Sequence, residues 1–248
     1  MTDRRARRRL ALALWALGLL GTASLLAAPL EVVQPPGLDI PPLAFRALAL
    51  INPVVLMSVA VIIGAFLAPK VGLDAPVVRA AIERGSPGRA LRRQVVPAVV
   101  VAAVTAVVLL AYGAMSEPWF ADADVPDVTM PLVSKLLYGG IVEELMTRWG
   151  FMSLLAWAGW RLAGRPDHPP AAIFIGAALL AAILFAVAHL PMLFTIMPSP
   201  APGMIVAVIA GNMVPGFLFG MLFWQRGLEA AMIAHAGGHL IYTVVSAL

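Results

Sequence analysis

The sequence contains no cysteine, so it forms no disulfide, offers no thiol nucleophile and holds no metal through a cysteine. It is also poor in charge. Asp, Glu, Lys and Arg make up 12% of its 248 residues, against about 25% in soluble domains. Apolar residues take their place at 61%, with a mean hydropathy of +0.93. That balance excludes an ordinary water-soluble domain. A helix needs about 20 apolar residues to cross a bilayer, and the chain holds several such runs. The expected fold is therefore all-α, a polytopic transmembrane helix bundle of about seven spans.

Long stretches also lack cations. The pI is about 10.1, yet no nucleic-acid partner follows from it, because Lys and Arg are distributed by membrane topology. They crowd residues 1–9, residues 69–94, the turn with Arg161 and Arg165, and Arg226. The alternate connections carry none. By the positive-inside rule the N-terminus and these basic segments lie on the cytoplasmic face. The expected location is a bacterial cytoplasmic membrane, with the basic arm against anionic headgroups. Arg46, Lys135 and Arg148 remain, each within an expected span.

In order, the expected spans begin with Leu10 to Ala28, read as an anchor rather than a cleaved signal peptide because the run is longer than a signal core. A Pro-rich loop from Glu31 to Pro42 leads to Phe45–Ala68, where Asn52-Pro53 predicts a kink. The basic segment 69–94 has room for an interfacial helix near Val77 to Arg84, or is a plain loop. Val95–Tyr112 is the third span, followed by an acidic connection with Glu117, Asp122, Asp124 and Asp127. The fourth run covers Pro131 to Trp160, the fifth Ala171 to His189, the sixth Met204–Trp224 and the seventh Leu228–Leu248. Residues 192–203 read as a re-entrant or interfacial piece. The chain divides into an N-terminal three-span region, 1–130, and a four-span region, 131–248, within one membrane domain.

The fourth run is the anomaly. Glu143, Glu144 and Arg148 sit near its middle, and each charge at a helix centre costs roughly 2.5–3.5 kcal/mol on insertion scales. Such a helix must face protein or a wet cavity. Glu144 and Arg148 are four apart and share a face, so they are expected to pair. Glu143 points about 100° away and is the carboxylate left for chemistry. Three histidines also fall in apolar runs: His189, one turn after Phe185, and His235 with His239, which share a helical face. His168 lies in a polar turn. A desolvated carboxylate beside imidazoles is suited to take a proton from water, and further imidazole N–H groups are suited to an oxyanion. Ser153 and Ser246 have no evident partners for a serine triad.

These three patterns, in this order on late spans, resemble the CPBP family: the type II CAAX prenyl proteases and bacteriocin-processing enzymes, also called ABI proteins. The family motifs are Glu-Glu-x-x-x-Arg, Phe-x-x-x-His and His-x-x-x-Asn or Asp. The glycine-rich approach from Gly216 through Ala231 to His235 is also similar. The resemblance covers roughly Leu132 to the C-terminus. It implies a glutamate-type intramembrane endopeptidase with Glu143 as general base, His189 helping to activate water, and His235 with its i+4 partner at the oxyanion. Glu144 and Arg148 would hold the helix. His239 departs from the pattern, since the family usually has Asn or Asp there. Glu143, His189, His235 and His239 also form a conceivable zinc set, so a zinc ion is the alternative to a cofactor-free site. The partners implied are membrane lipids and a peptide or protein substrate, with or without a lipid group. A non-catalytic relative serving immunity, scaffolding or transport is the rival class.

One difficulty is geometric. Straight helices put His189 about 27 Å and His235 about 10 Å from the cytoplasmic face at 1.5 Å per residue. A single site requires the fifth span to shift deeper, bringing His189 within reach of Glu143 and His235.

Overall fold

The computed structural model describes residues 4–34, 40–120 and 129–248. Among them the secondary structure is helical, with no strand. The acidic segment with Asp122, Asp124 and Asp127, and Pro35 and Pro36 of the Pro-rich loop, lie outside the described residues.

The helices, in chain order, are α1 Arg4–Ala23, α2 Pro42–Ala49, α3 Ile51–Leu67, α4 Pro76–Ile82 and α5 Pro87–Phe120. Then come α6, residues 132–162, α7 Ala171–Val187, α8 Leu190–Ile196, α9 Pro202–Arg226 and α10 Leu228–Val245. Short 3₁₀ turns at Ser24–Ala27, Leu30–Val33 and Ala68–Val71 extend α1, lead into α2 and follow α3.

Several boundaries differ from the sequence expectation. The second span breaks at Leu50, just ahead of Asn52-Pro53, and Pro53 falls in the first turn of α3, where a missing N–H costs nothing. Helix α5 is much longer than its apolar run, because its first turns carry the arginines past the bilayer edge. The interfacial helix of the basic segment exists as α4. The stretch after Pro191 begins as α8 and is capped off at Met197.

Among the described residues five helical rods are long and apolar enough to cross a membrane, against about seven expected from sequence: Arg4–Ala27, Pro42–Val71, Pro87–Pro118, Ala171–Ile196 and Pro202–Arg226. The two remaining expected spans correspond to α6 and α10, which carry Glu143, Glu144, Arg148, His235 and His239. Both can be more polar because other helices wall them in: α6 packs on α1, α3, α7, α9 and α10, while α10 packs on α5, α6 and α9.

The outer surface matches a lipid solvent. Val55, Val59, Ile62, Val96, Val100 and Val107 are 49% to 69% exposed. In water such a surface would be an interaction or aggregation site; in hydrocarbon it is the ordinary exterior. Inside, one continuous core runs from Leu10 and Leu14 of α1 through Met57 and Val61 of α3 and Trp149 of α6 to Phe219, Phe223 and Ala234. Because α1 supplies core residues at 1% and 0% exposure, it is an integral helix of the bundle.

Close approach sets where α6 lies. A Cβ on Gly64 would come within 2.4 Å of the Trp149 ring, and one on Gly150 within 2.5 Å of Ala60. Small residues let two backbones meet where lipid provides no hydrophobic drive between helices. The Trp149 indole also donates to the Val61 carbonyl at 3.2 Å. On the other side, a Cβ on Gly140 would strike Ala236 at 2.7 Å. These contacts lock the middle of α6 between α3 and α10.

Candidate active site

The stretch of α6 that bears the carboxylates is not plain α-helix. Lys135–Glu143 and Leu145–Met152 are hydrogen-bonded in the i→i+5 register. Wide π-type turns are rare and gather at functional sites. Periodicity in the sequence predicts only the α register here.

Glu144 is fully buried and accepts two hydrogen bonds on one oxygen. Arg148 Nη1 donates to its Oε1 at 2.9 Å, and His235 Nδ1 lies 2.8 Å from the same atom. Arg148 is equally buried. Its Nη1 also donates to Thr147 Oγ1 at 2.6 Å, and its Nη2 to the Gly216 carbonyl at 2.7 Å. The guanidinium lies 5.0 Å from the Phe185 ring and 5.4 Å from the Phe219 ring. Two ring faces and an ion pair together offset the desolvation of a charge inside the bundle. Gly216 is required at this point, because a Cβ there would stand 3.1 Å from Arg148 Nη2.

Glu143 is different. Its side chain is 19% exposed, while that of Glu144 is 0%. Its Oε2 lies 3.8 Å from His235 Nε2. His235 therefore stands between the two carboxylates, with one ring nitrogen toward each. Phe219 stacks on its ring at 4.8 Å and 20°, fixing the plane.

The carboxylate oxygen that pairs with Arg148 accepts, so His235 Nδ1 donates to it. The other ring nitrogen, Nε2, faces Glu143. His189 is set the same way: its Nδ1 lies 2.7 Å from the Phe185 carbonyl, which only accepts. His239 lies beside His235 with ring centroids 5.1 Å apart, and makes no hydrogen bond among the described residues.

The structure thus joins Glu143, Glu144, Arg148, His235 and His239 directly. His189 joins them through an aromatic ring. Phe185 meets the His189 ring edge-on at 4.7 Å and the His235 ring at 6.0 Å. Among the described residues His189 makes no hydrogen bond or ion pair with Glu143, His235 or His239. The break of α7 at Ala188 places His189 at the start of α8, which is how the long fifth rod turns at this level.

Sequence reasoning missed five contributors. The bond from His235 to Glu144 was not expected, since Glu144 was assigned to Arg148 alone. Phe219 and Gly216 stood in the glycine-rich approach without a role. Gly139 carried no signal at all, yet a Cβ placed on it would lie 3.5 Å from both the His235 and His239 Nε2 atoms. It keeps the space beside those atoms open. Lys135, one turn before Gly139, bears electrostatically on His239 and has no ion-pair partner among the described residues.

Among the described residues no group of three or more His, Asp or Glu side chains is arranged to hold a metal ion. His189 and His235 hold protein acceptors through Nδ1, which leaves Nε2 on each for any ligand.

Residues 126–241 match the family described as Rce1-like, the type II CAAX prenyl endopeptidases. That match, over a little less than half of the chain, supports membership of the family for this segment. The match begins ahead of α6 and ends in α10, so it takes in every candidate residue named above. Residues 1–125 lie outside it. No curated protein and no solved structure gives a significant match to the chain. The Rce1-like family is one of membrane proteases, and the helical membrane bundle with its polar centre is the setting such a reaction needs.

Proposed function

We propose that this chain is an active intramembrane endopeptidase. It would hydrolyse a peptide bond near the C-terminal tail or leader of a membrane-associated substrate. The observation that carries the reading is the 3.8 Å separation of Glu143 Oε2 and His235 Nε2, beside the space that Gly139 leaves open. The gap is long for a direct hydrogen bond and suited to one water touching both atoms. Glu143 takes a proton from that water as its oxygen attacks the carbonyl carbon. The C–N bond then breaks, and the proton passes to the leaving amine.

Glu144 and Arg148 act by position. Glu144 holds His235 by Nδ1 and so aims Nε2 at Glu143. With both ring nitrogens of His235 turned to the carboxylates, donation to the oxyanion falls to His239, whose nitrogens are uncommitted among the described residues. A histidine there supplies an N–H, as Asn would at that place. His189, its Nδ1 held at the Phe185 carbonyl, orients a water or the substrate backbone from the far side of Phe185. The distribution of basic residues puts the N-terminus in the cytoplasm.

The test is cleavage of a reporter peptide, with and without a prenyl group, by purified protein in proteoliposomes. Glu143→Gln is expected to cut the rate by about 10²–10⁴-fold with folding intact, the range of a lost general base. Undiminished cleavage by that variant overturns the assignment. Stoichiometric zinc that disappears in His239→Ala would replace it with a zinc protease. A native protein that cleaves none of the peptides would leave a family member serving a non-catalytic role.

A further inference from the structure

A second polar feature lies where α4, the start of α5 and the end of α9 meet. A groove of about 640 Å³ opens there. Arg79 of α4, Glu83 and Ser86 of the turn after it, Arg89 and Arg93 of α5, and Arg226 of α9 line it. The volume is within the range of small-ligand sites, about 300–1,000 Å³. Arg79 is occupied by its ion pair with Asp74. Arg89, Arg93 and Arg226 make no ion pair or hydrogen bond among the described residues. Three uncommitted guanidiniums face one carboxylate, so the groove is short of negative charge.

Depth supplies the second argument. Arg93 stands just ahead of the apolar run that begins at Val95, and Arg226 follows directly on the run that ends at Trp224. Trp224 is stacked on Phe174 at 5.0 Å, an aromatic pair at a span end as interfacial belts have. Arg89 and Arg93 are four apart and share a face of α5. Arg93 and Arg226 therefore both flank the ends of apolar runs, where acyl chains give way to phosphates, and Arg89 stands one turn further out on α5. Membrane topology accounts for arginines at span ends; what the groove adds is that three of them, without ion-pair partners among the described residues, line one cavity.

We infer that this groove is a binding site for the phosphate headgroup of an anionic phospholipid. Its walls are built into the fold. Glu229 Oε1 of α10 accepts from the Val77 and Val78 N–H groups at 2.9 Å each, so α4 is fastened to the helix that carries His235 and His239. The Leu228 N–H donates to the Asp74 carbonyl at 3.0 Å on the same junction. A lipid seated against Arg89, Arg93 and Arg226 would bridge α5 and α9 across α4. The inference does not rest on the proteolytic reading.

The experiment compares lipid retention by the purified full chain, using native mass spectrometry and thermal unfolding in phosphatidylglycerol or phosphatidylcholine nanodiscs. The native chain is expected to retain phosphatidylglycerol and to unfold at higher temperature with it. Each of Arg89→Gln, Arg93→Gln and Arg226→Gln should weaken retention about fivefold, and the three together about a hundredfold, at about 1 kcal/mol per basic residue. The single variants keep the test readable if the triple variant does not fold. Arg8→Gln, Arg92→Gln and Arg165→Gln, combined, remove the same charge outside the groove and should change retention little. Equal losses in both triple variants would mean diffuse attraction and overturn the site. Stabilisation of the detergent-solubilised chain by inorganic phosphate alone, lost in the same groove variants, would overturn the lipid assignment in favour of a soluble anion.

Discussion

His235 Nδ1 donates to Glu144 Oε1 at 2.8 Å, joining a helix near the C-terminus to the middle of α6. One carboxylate thereby serves two partners, since Arg148 holds the same oxygen. The adjacent carboxylate, Glu143, is left to face the other nitrogen of the ring. Two neighbouring glutamates thus have separable tasks, and their variants should fail in different ways.

Glu144→Gln should lose stability and activity together. Breaking a buried ion pair from one side typically costs 3–5 kcal/mol, because the remaining charge stays buried without its partner. Glu143→Gln, at a partly exposed side chain, should unfold like the native protein while losing cleavage. Denaturant unfolding in micelles, run beside the cleavage assay, separates the two. Equal unfolding midpoints for both variants would contradict the division.

Gly216→Ala should act through Arg148. The added methyl would stand 3.1 Å from Nη2, which donates to the carbonyl of the same residue. The guanidinium must give way from between Phe185 and Phe219. A loss of about 1–3 kcal/mol is expected, as for other overpacked sites. Gly220→Ala is not a neutral control, since a Cβ there meets Ala178 at 2.8 Å; Gly176→Ala, with open space, is.

Gly139→Ala should leave the fold intact and impair the reaction. Its methyl would make ordinary contacts at 3.5 Å with both imidazoles. It would also occupy the space assigned to water and the scissile carbonyl. A rate loss of about 10²-fold is expected, the scale of a displacement of about 1 Å at a reacting group. Full activity with an alanine there would show that the reaction takes place elsewhere.

Glu229→Ala should free the basic segment. It removes the acceptor of the Val77 and Val78 N–H groups, each left unsatisfied at about 1–3 kcal/mol. Glu229→Gln keeps an acceptor oxygen and should behave nearly as native. Limited trypsin digestion in nanodiscs gives the readout, since Arg79, Arg84 and Arg89 lie on that segment. Unchanged cleavage in Glu229→Ala would mean that other contacts hold α4.

A pH effect is expected at the start of α2. The hydrogen bond from Arg46 holds the Glu31 carboxyl below the usual carboxylate range. A depressed folded-state value stabilises the folded form above the unfolded value, and that contribution is lost as pH falls through the folded value. The tie between residues 30–33 and α2 should therefore loosen only in acid. Amide exchange of this segment should accelerate below about pH 4, and Glu31→Gln should exchange fast at neutral pH as well. No difference between native and variant at neutral pH would refute it.

The sequence by itself determined the helical membrane class, because 61% apolar composition in runs of bilayer length leaves a chain few other ways to satisfy its backbone. It also determined the pairing of Glu144 with Arg148 and the neighbourhood of His235 and His239, since both are i,i+4 relations within one helix. Contacts between distant segments were decided by the tertiary structure. Nothing local in residues 144 and 235 says that they meet; the close approach of Gly140 to Ala236 brings their helices together. The π register of α6 was equally hidden, because it depends on packing rather than on the period of apolar residues. The same holds for His189, whose place was set by the break of a helix at Ala188 and by the Phe185 ring that it shares with His235. Side chains four apart on one helix are neighbours by geometry alone, whereas neighbours across helices exist only once the bundle has closed.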